Sequence, residues 1–105
     1  MPRRGRADVG AEGKQPARQS GRLAVFTSPF RDDLCWWTRE QPRVADRIWG
    51  LIEEIMRTPF TGTGKPEPLR SLGSDVWSRR ITQEHRLVYL VRDERIDFLQ
   101  ARYHY

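Results

Sequence analysis

Apolar residues recur with a helical period in the first half of this chain. From Pro42 onward they return every three or four positions, at Val44, Ile48, Leu51, Ile52 and Ile55. That spacing places all five on one face of an α-helix. Thr58-Pro59 follows, and proline cannot continue a helix. The pattern therefore predicts a helix that begins at Pro42 and ends near Thr58.

A strand and another helix are predicted before it. The apolar run from Leu23 to Thr27 is typical of a short buried strand. Ser28 then supplies an N-cap, and Pro29 fits the first helical position. We expect this first helix to reach about Glu40, with Cys35 as a small buried residue on it.

The second half changes to the alternating pattern of β-strands. A stretch with two glycines and two prolines, Phe60 to Pro68, is predicted to be a loop. Short turns then separate three candidate strands, which suits antiparallel hairpins: Val76 to Ile81, Arg86 to Val91 and Ile96 to Tyr103. The predicted order is β-α-α-β-β-β, an α/β (α+β) domain in which two helices cover one face of a mostly antiparallel four-stranded sheet.

Arginines interrupt the apolar pattern of these strands. The segment WSRRITQEHRLVY, from Trp77 to Tyr89, places Arg80 and Arg86 near the strand ends beside one turn. Alternation alone does not say which side chains face the helices. A purely structural interpretation remains open, in which the arginines protect a sheet edge or pair with Glu84 and Asp93.

Composition and charge indicate one domain with a basic half. The chain has 105 residues, of which 37% are apolar and 31% charged, and a formal net charge of +5. Residues 1–21 contain almost no large apolar side chain, so we predict a disordered basic tail there and a folded domain at 22–105. Within that domain, residues 23–56 carry a net −2 and residues 57–105 a net +3. The basic half suits a polyanionic partner.

Several classes of protein are disfavoured by what the sequence lacks. No apolar run approaches the roughly 20 residues that cross a bilayer, and the start has no signal-peptide core, so we expect a cytoplasmic protein without membrane contact. The single cysteine, Cys35, excludes an internal disulfide. With His85 and His104 as the only histidines, the sequence argues against a zinc site. We therefore expect neither a metal nor a cofactor.

The remaining polar groups fit metal-free cleavage of RNA. That reaction needs a base for the 2′-hydroxyl, cations for the phosphorane and an acid for the departing 5′-oxygen. Glu67, the arginines and His104 are the right types. Each also has an ordinary interpretation, because Glu67 lies between prolines in a loop and His104 is next to the terminus. Residue types alone leave RNA cleavage as one option among several.

Three segments of the chain, in the same order as in a known family, give more specific evidence than residue types do. RTPFTGTGKPEPL (Arg57 to Leu69), WSRRITQEHRLVY and ARYHY (Ala101 to Tyr105) closely resemble the YoeB/Txe toxins of the RelE superfamily. The earlier segment FTSPFRDDLCWW is similar to the opening strand and helix of that family. The resemblance covers about Leu23 to Tyr105 and implies a small RelE-like fold.

The resemblance also implies an activity and a site. It implies a ribosome-dependent, metal-independent endoribonuclease that cleaves mRNA in the ribosomal A site and so inhibits translation. In that site Glu67 would be the general base, His104 the general acid and Arg86 the cation that stabilises the phosphate. The resemblance adds Arg80 and Tyr105 to the catalytic group. The cations expected to contact RNA are Lys65, Arg70 and Arg79, although a structural role for Arg79 stays open.

The implied partners are the ribosome with its mRNA, a cognate antitoxin of the YefM/Axe type, and a second copy of the chain in a homodimer. Two alternatives share the fold. One is a protein that blocks the ribosome without cutting, and the other is a gyrase-directed toxin of the ParE type.

Overall fold

The computed structural model describes residues 21–104, in which two helices cover one face of a five-stranded sheet. Tyr105 and all but the last residue of the predicted basic tail lie outside the described residues. The elements in chain order are β1 (Leu23–Phe26), α1 (Ser28–Glu40), α2 (Pro42–Arg57), β2 (Glu67–Pro68), β3 (Val76–Arg80), β4 (His85–Val91) and β5 (Arg95–His104). A short 3-10 helix, Arg70–Leu72, lies between β2 and β3.

The sheet has the order β1-β5-β4-β3-β2, with β1 parallel to β5 and the other pairs antiparallel. This confirms the predicted α+β class and the two hairpins. The sheet has one strand more than predicted, because Glu67–Pro68, assigned to a loop, pairs with β3 through Glu67 and Ser78. No helix in the described part of the chain is long and apolar enough to span a membrane.

The main core lies between the helices and the sheet. The apolar face predicted for α2 is confirmed, since Ile48, Leu51, Ile52 and Ile55 are buried there. Sheet residues of alternating positions, including Leu87, Tyr89, Ile96 and Phe98, pack against them. A smaller cluster of Leu69, Val76 and Val88 covers part of the opposite face. The helix-free face is therefore partly apolar, and the alternation in β4 directs Arg86 toward it.

Strand β1 forms as predicted, but the prediction that it is buried is wrong. It forms the sheet edge, where Leu23 is 70% exposed, and only its last residue contacts the core, as Phe26 packs on Phe30 and Phe98. The predicted helix start is also off by one residue. Thr27 is the N-cap, and its hydroxyl accepts a hydrogen bond from the backbone N–H of Phe30.

Cys35 is exposed, so the prediction of a buried cysteine is wrong. Helix α1 buries Phe30 and Trp37, which are seven positions apart and therefore share one face. Cys35 lies outside that stripe. Its small apolar character gave no information about its direction.

Candidate functional site

Arg86 lies almost fully buried on the helix-free side of β4, with only 3% of its side chain exposed. Its Nε donates a 2.7 Å hydrogen bond to Oγ of Ser78 on the neighbouring strand. Its Nη2 donates to the carbonyls of Ser78 and Lys65, at 3.2 and 2.9 Å. Buried charges need such partners, and here the partners also fix the plane of the guanidinium.

Glu67 stands beside this guanidinium. Strand β2 places Glu67 opposite Ser78, and its Oε2 lies 3.3 Å from Nη2 of Arg86. The Glu67 side chain is 40% exposed, so the carboxylate is accessible from solvent while the cation beneath it is not. The structure thus brings together a carboxylate and a fixed cation, two of the groups named from the sequence.

The loop that carries Glu67 is held by Arg79. This side chain is fully buried, and its guanidinium donates to the carbonyls of Thr58, Thr61 and Thr63. It also contacts the Glu54 carboxylate at 3.5 Å. Every direction of its planar fork is therefore occupied inside the protein. A role for Arg79 in binding RNA does not fit this arrangement, whereas the structural role left open from the sequence does.

Two glycines let the loop approach Arg79 closely. At Gly62, with φ +125°, a Cβ would lie 2.5 Å from Oε2 of Glu54. At Gly64, with φ +86°, it would lie 3.1 Å from the carbonyl oxygen of Arg80. Thr63 lies between them, and its backbone N–H donates to Glu54, which lowers the pKa of that carboxyl group. The TGTG sequence is thus explained by a tight wrap around one buried cation.

Arg80, Lys65 and Arg70 are exposed around this centre. Arg80 is the direct cross-strand partner of Arg86 at the end of β3, so its side chain leaves the same face. Arg70 borders a surface groove of about 460 Å³ next to β2, whose wall includes Pro68 and Trp77. Lys65 and Arg70 lie within three residues of Glu67 in the chain, so they add positive charge to the surface near it.

His104 is not beside Glu67 and Arg86. It ends β5 opposite His85, and the two rings lie 4.7 Å apart in an edge-to-face arrangement. The His85 ring in turn packs on Trp37 of helix α1, with centroids 5.2 Å apart. His85 and Arg86 are neighbours on one strand, so their side chains leave opposite faces. His104 therefore shares the helix side with His85.

Burial and the nearby His104 both lower the pKa of His85, in that order of size. Both effects favour the neutral form of His85. On the helix-free side Tyr103, the residue before His104, is the cross-strand partner of Arg86. Tyr105 falls outside the described residues, and its predicted role stays a prediction.

Helix α1 holds the strand end that carries His104, which the sequence interpretation missed. Asp33 accepts a 2.9 Å hydrogen bond from the N–H of Ala101, and Trp37 donates a 2.7 Å bond to the carbonyl of the same residue. The Arg102 guanidinium lies 3.7 Å from the centre of a Trp36 ring. The DDLCWW segment contained these residues, but nothing in the sequence paired them with a strand about 65 positions later.

The β4–β5 register shifts twice, between Arg86 and Val88 and between Val88 and Tyr89. Such bulges insert an extra residue and change the direction of the following side chains. The α1 contacts at Ala101 hold one of these irregular positions. Because the two shifts cancel, His104 lies on the helix side like Phe98, as alternation gives; the bulges instead let Ala101, three residues after Phe98, also pack into the helix-side core.

Comparisons with known proteins agree on one family. A family model described as the YoeB-like toxin of bacterial type II toxin-antitoxin systems matches residues 26–105. Toxin YoeB of Escherichia coli K12 is 50% identical over 81 residues, which cover 77% of this chain and 96% of that protein.

Two solved structures from Staphylococcus aureus have a similar fold. One is a YoeB dimer, with 34% identity and a TM-score of 0.75 over 81% of this chain and 99% of that one. The other is a YoeB–YefM complex, with 36% identity and a TM-score of 0.70 over 80% of this chain and 99% of that one.

Proposed function

This chain belongs to the YoeB-like toxins of bacterial type II toxin–antitoxin systems, and from that membership we propose that it cleaves mRNA on the ribosome without a metal ion. The membership confirms the resemblance stated from the sequence. The single observation that supports the chemistry best is the exposed Glu67 carboxylate, 3.3 Å from the buried guanidinium of Arg86.

The proposed reaction uses the RNA's own 2′-hydroxyl as nucleophile. Glu67 takes the proton of that hydroxyl while the 2′-oxygen forms a bond to the adjacent phosphorus. Arg86 stabilises the negative charge that develops on the phosphorane oxygens, and its fixed position requires no reorganisation during the step. Arg80 adds a second positive charge at the same face.

The bond from phosphorus to the 5′-oxygen then breaks, and His104 as imidazolium donates the proton that the leaving oxygen needs. The products are a 2′,3′-cyclic phosphate on the upstream fragment and a 5′-hydroxyl on the downstream one. Because His104 lies against His85 in this structure, the acid role requires its side chain to leave His85 when RNA is bound.

Primer extension on purified, initiated ribosomes tests this function. We expect the wild-type chain to produce a shortened mRNA. Replacing Arg86→Ala should lower the rate about 100- to 1000-fold, as is typical when a transition-state donor is lost. Arg92→Ala removes an arginine from the opposite end of β4, where it pairs with Asp97, and should cleave at the wild-type rate.

The same assay separates the two alternative functions. A stalled ribosome with intact mRNA would indicate a protein that inhibits translation by binding alone. The absence of any effect on ribosomes would favour a target such as gyrase. Either outcome overturns the proposal, because both leave the mRNA uncut.

An antitoxin of the YefM type and a homodimer are proposed as partners. The support is the Staphylococcus aureus structures, which are named as a YoeB–YefM complex and a YoeB dimer. The net +3 of residues 57–105 also suits an acidic segment that competes with RNA for the same surface. Light scattering should give a dimer of the free chain, and added antitoxin should abolish cleavage. A monomer, or cleavage unaffected by bound antitoxin, would contradict these assignments.

A further inference from the structure

Three potential metal ligands meet at the tip of the β3–β4 hairpin. His85 begins β4, Glu84 is the preceding turn residue, and His104 ends β5 directly opposite His85. One ligand atom from each of the three lies within 4.8 Å of the others. The sequence argued against zinc because it contains only two histidines, but a carboxylate next to them completes a set of three.

Two imidazoles and one carboxylate are a donor set that zinc uses, with water or another group in a fourth position. Tetrahedral ligands at about 2.0–2.1 Å from zinc lie roughly 3.3 Å from one another. The three donors therefore need to approach by about 1.5 Å at most. Glu84 and His104 are exposed, so their side chains are able to make this movement.

The surroundings of His85 favour one orientation of its ring. Its Nδ1 lies 3.4 Å from the hydroxyl oxygen of Thr82, and Trp37 packs on its side. With Nδ1 directed toward Thr82, Nε2 is the ring nitrogen left to bind a metal. Thr82 also accepts from the backbone N–H groups of Glu84 and His85, which fixes the turn.

We propose that Glu84, His85 and His104 form a binding site for zinc, and that the bound ion inhibits the toxin. The inhibitory part rests on the proposed function, in which His104 acts as the acid. Zinc would hold the His104 imidazole against His85, on the side of the sheet away from Glu67 and Arg86. A coordinated imidazole nitrogen also cannot carry the proton that the leaving oxygen needs.

Binding is tested without any cleavage assay. The exposed thiol of Cys35 can itself bind zinc, so the measurements use the full chain with Cys35→Ser and no affinity tag. Calorimetric titration with zinc chloride should give about one ion per chain with a dissociation constant in the micromolar range or lower. His85→Gln or His104→Gln should weaken zinc binding by more than about 100-fold. Loss of a residue that only hydrogen-bonds to a metal ligand costs about 100-fold at most, so a larger loss identifies a direct ligand.

Glu84→Gln serves as the third binding variant, because an exposed turn residue can be replaced without loss of the fold. Its control is Glu94→Gln, an equally exposed glutamate in the β4–β5 turn. We expect weaker binding only in the first. Millimolar binding of the unaltered site, or micromolar binding that survives the histidine replacements, would overturn the proposed site.

Inhibition is then measured on ribosomes. Without zinc, Glu84→Gln should cleave at the wild-type rate, because Glu84 takes no part in the proposed reaction. With zinc at saturation, the rate of cleavage by the wild-type chain should fall at least about tenfold, whereas Glu84→Gln should keep its rate. Because both proteins act on the same ribosomes, the variant also controls for effects of zinc on the ribosome. Equal inhibition of both proteins would overturn the regulatory claim. A chain that binds zinc but never cleaves would contradict the proposed function and leave the binding site supported.

Discussion

The indole Nε1 of Trp37 donates a 2.7 Å hydrogen bond to the carbonyl of Ala101, three residues before His104. The indole is buried, so this carbonyl has no access to solvent through that side. Helix α1 thus fixes the strand end that carries the proposed acid. The relationship connects packing of the first helix to the chemistry of the last strand.

Replacing Trp37→Phe should preserve the aromatic contact with His85 but remove the donor. The unpaired carbonyl should cost about 1–3 kcal/mol of unfolding free energy, measured in urea. Because the strand end loosens, kcat for cleavage should fall with little change in KM. Trp49→Phe changes a tryptophan that is 47% exposed and should alter stability by less than about 0.5 kcal/mol. Equal effects of both variants would contradict the positional role of Trp37.

Arg79 and Arg80 are adjacent in sequence and differ in burial, which predicts opposite phenotypes. Arg79→Ala should lower the free energy of unfolding by about 3 kcal/mol, roughly 1 kcal/mol for each of the three partly buried loop carbonyls that lose their donor. Arg80→Ala should leave stability within about 0.5 kcal/mol of wild type, since its side chain is exposed. It should instead slow cleavage. Urea unfolding of both variants checks this, and a stable Arg79→Ala protein would refute the account of the loop.

Ser78 should act by positioning Arg86, since its buried hydroxyl accepts the 2.7 Å bond from Nε. Hydrogen bonds to charged groups contribute about 1.5–3 kcal/mol, so Ser78→Ala should slow cleavage roughly 10- to 100-fold. The loss should appear in kcat, and Ser78→Thr, which keeps the hydroxyl, should recover part of it. Ser74→Ala, at an exposed serine before β3, is the matched control. An unchanged kcat in Ser78→Ala would remove Ser78 from the site.

Glu54 makes stability depend on acidic pH. The backbone N–H of Thr63, together with its hydroxyl and Arg79, lowers the pKa of Glu54 below the ordinary 4.5. A carboxyl with a lowered native pKa stabilises the fold above the unfolded pKa, and this contribution is lost as pH falls through the native pKa. Unfolding midpoints measured between neutral and acidic pH should therefore fall less steeply in Glu54→Gln. Glu53→Gln, on the exposed side of α2, should retain the wild-type slope.

The elements of this fold follow from local sequence signals, whereas much of the site does not. The spacing in α2 and the alternation in β3 to β5 predicted those elements to within one residue at the strand ends. The pairing of Glu67 with β3 escaped prediction because a strand of two residues, one of them a proline, has no period. The way in which the end of β5 is held depends on bulges and on contacts from α1 to Ala101, which are long-range packing.

The two consecutive arginines of β3 also show what local sequence signals do not predict. Arg79 and Arg80 are chemically identical in the sequence, and the structure separates them by the direction of their side chains. Two glycines in the preceding loop were a signal of close approach, since each has a positive φ and would place a Cβ against Arg79, Arg80 or Glu54. From the sequence alone, these glycines predicted only a loop.

The end groups of the cut mRNA test the central claim most directly. Protein freed of bound metal by dialysis against EDTA is added to initiated ribosomes, and the fragments are analysed by mass spectrometry. Attack by the 2′-hydroxyl, with Glu67 as base, predicts a 2′,3′-cyclic phosphate upstream and a 5′-hydroxyl downstream. Glu67→Gln should reduce this product about 100-fold or more. A 3′-hydroxyl with a 5′-phosphate, or the same product at an undiminished rate from Glu67→Gln, would contradict the account.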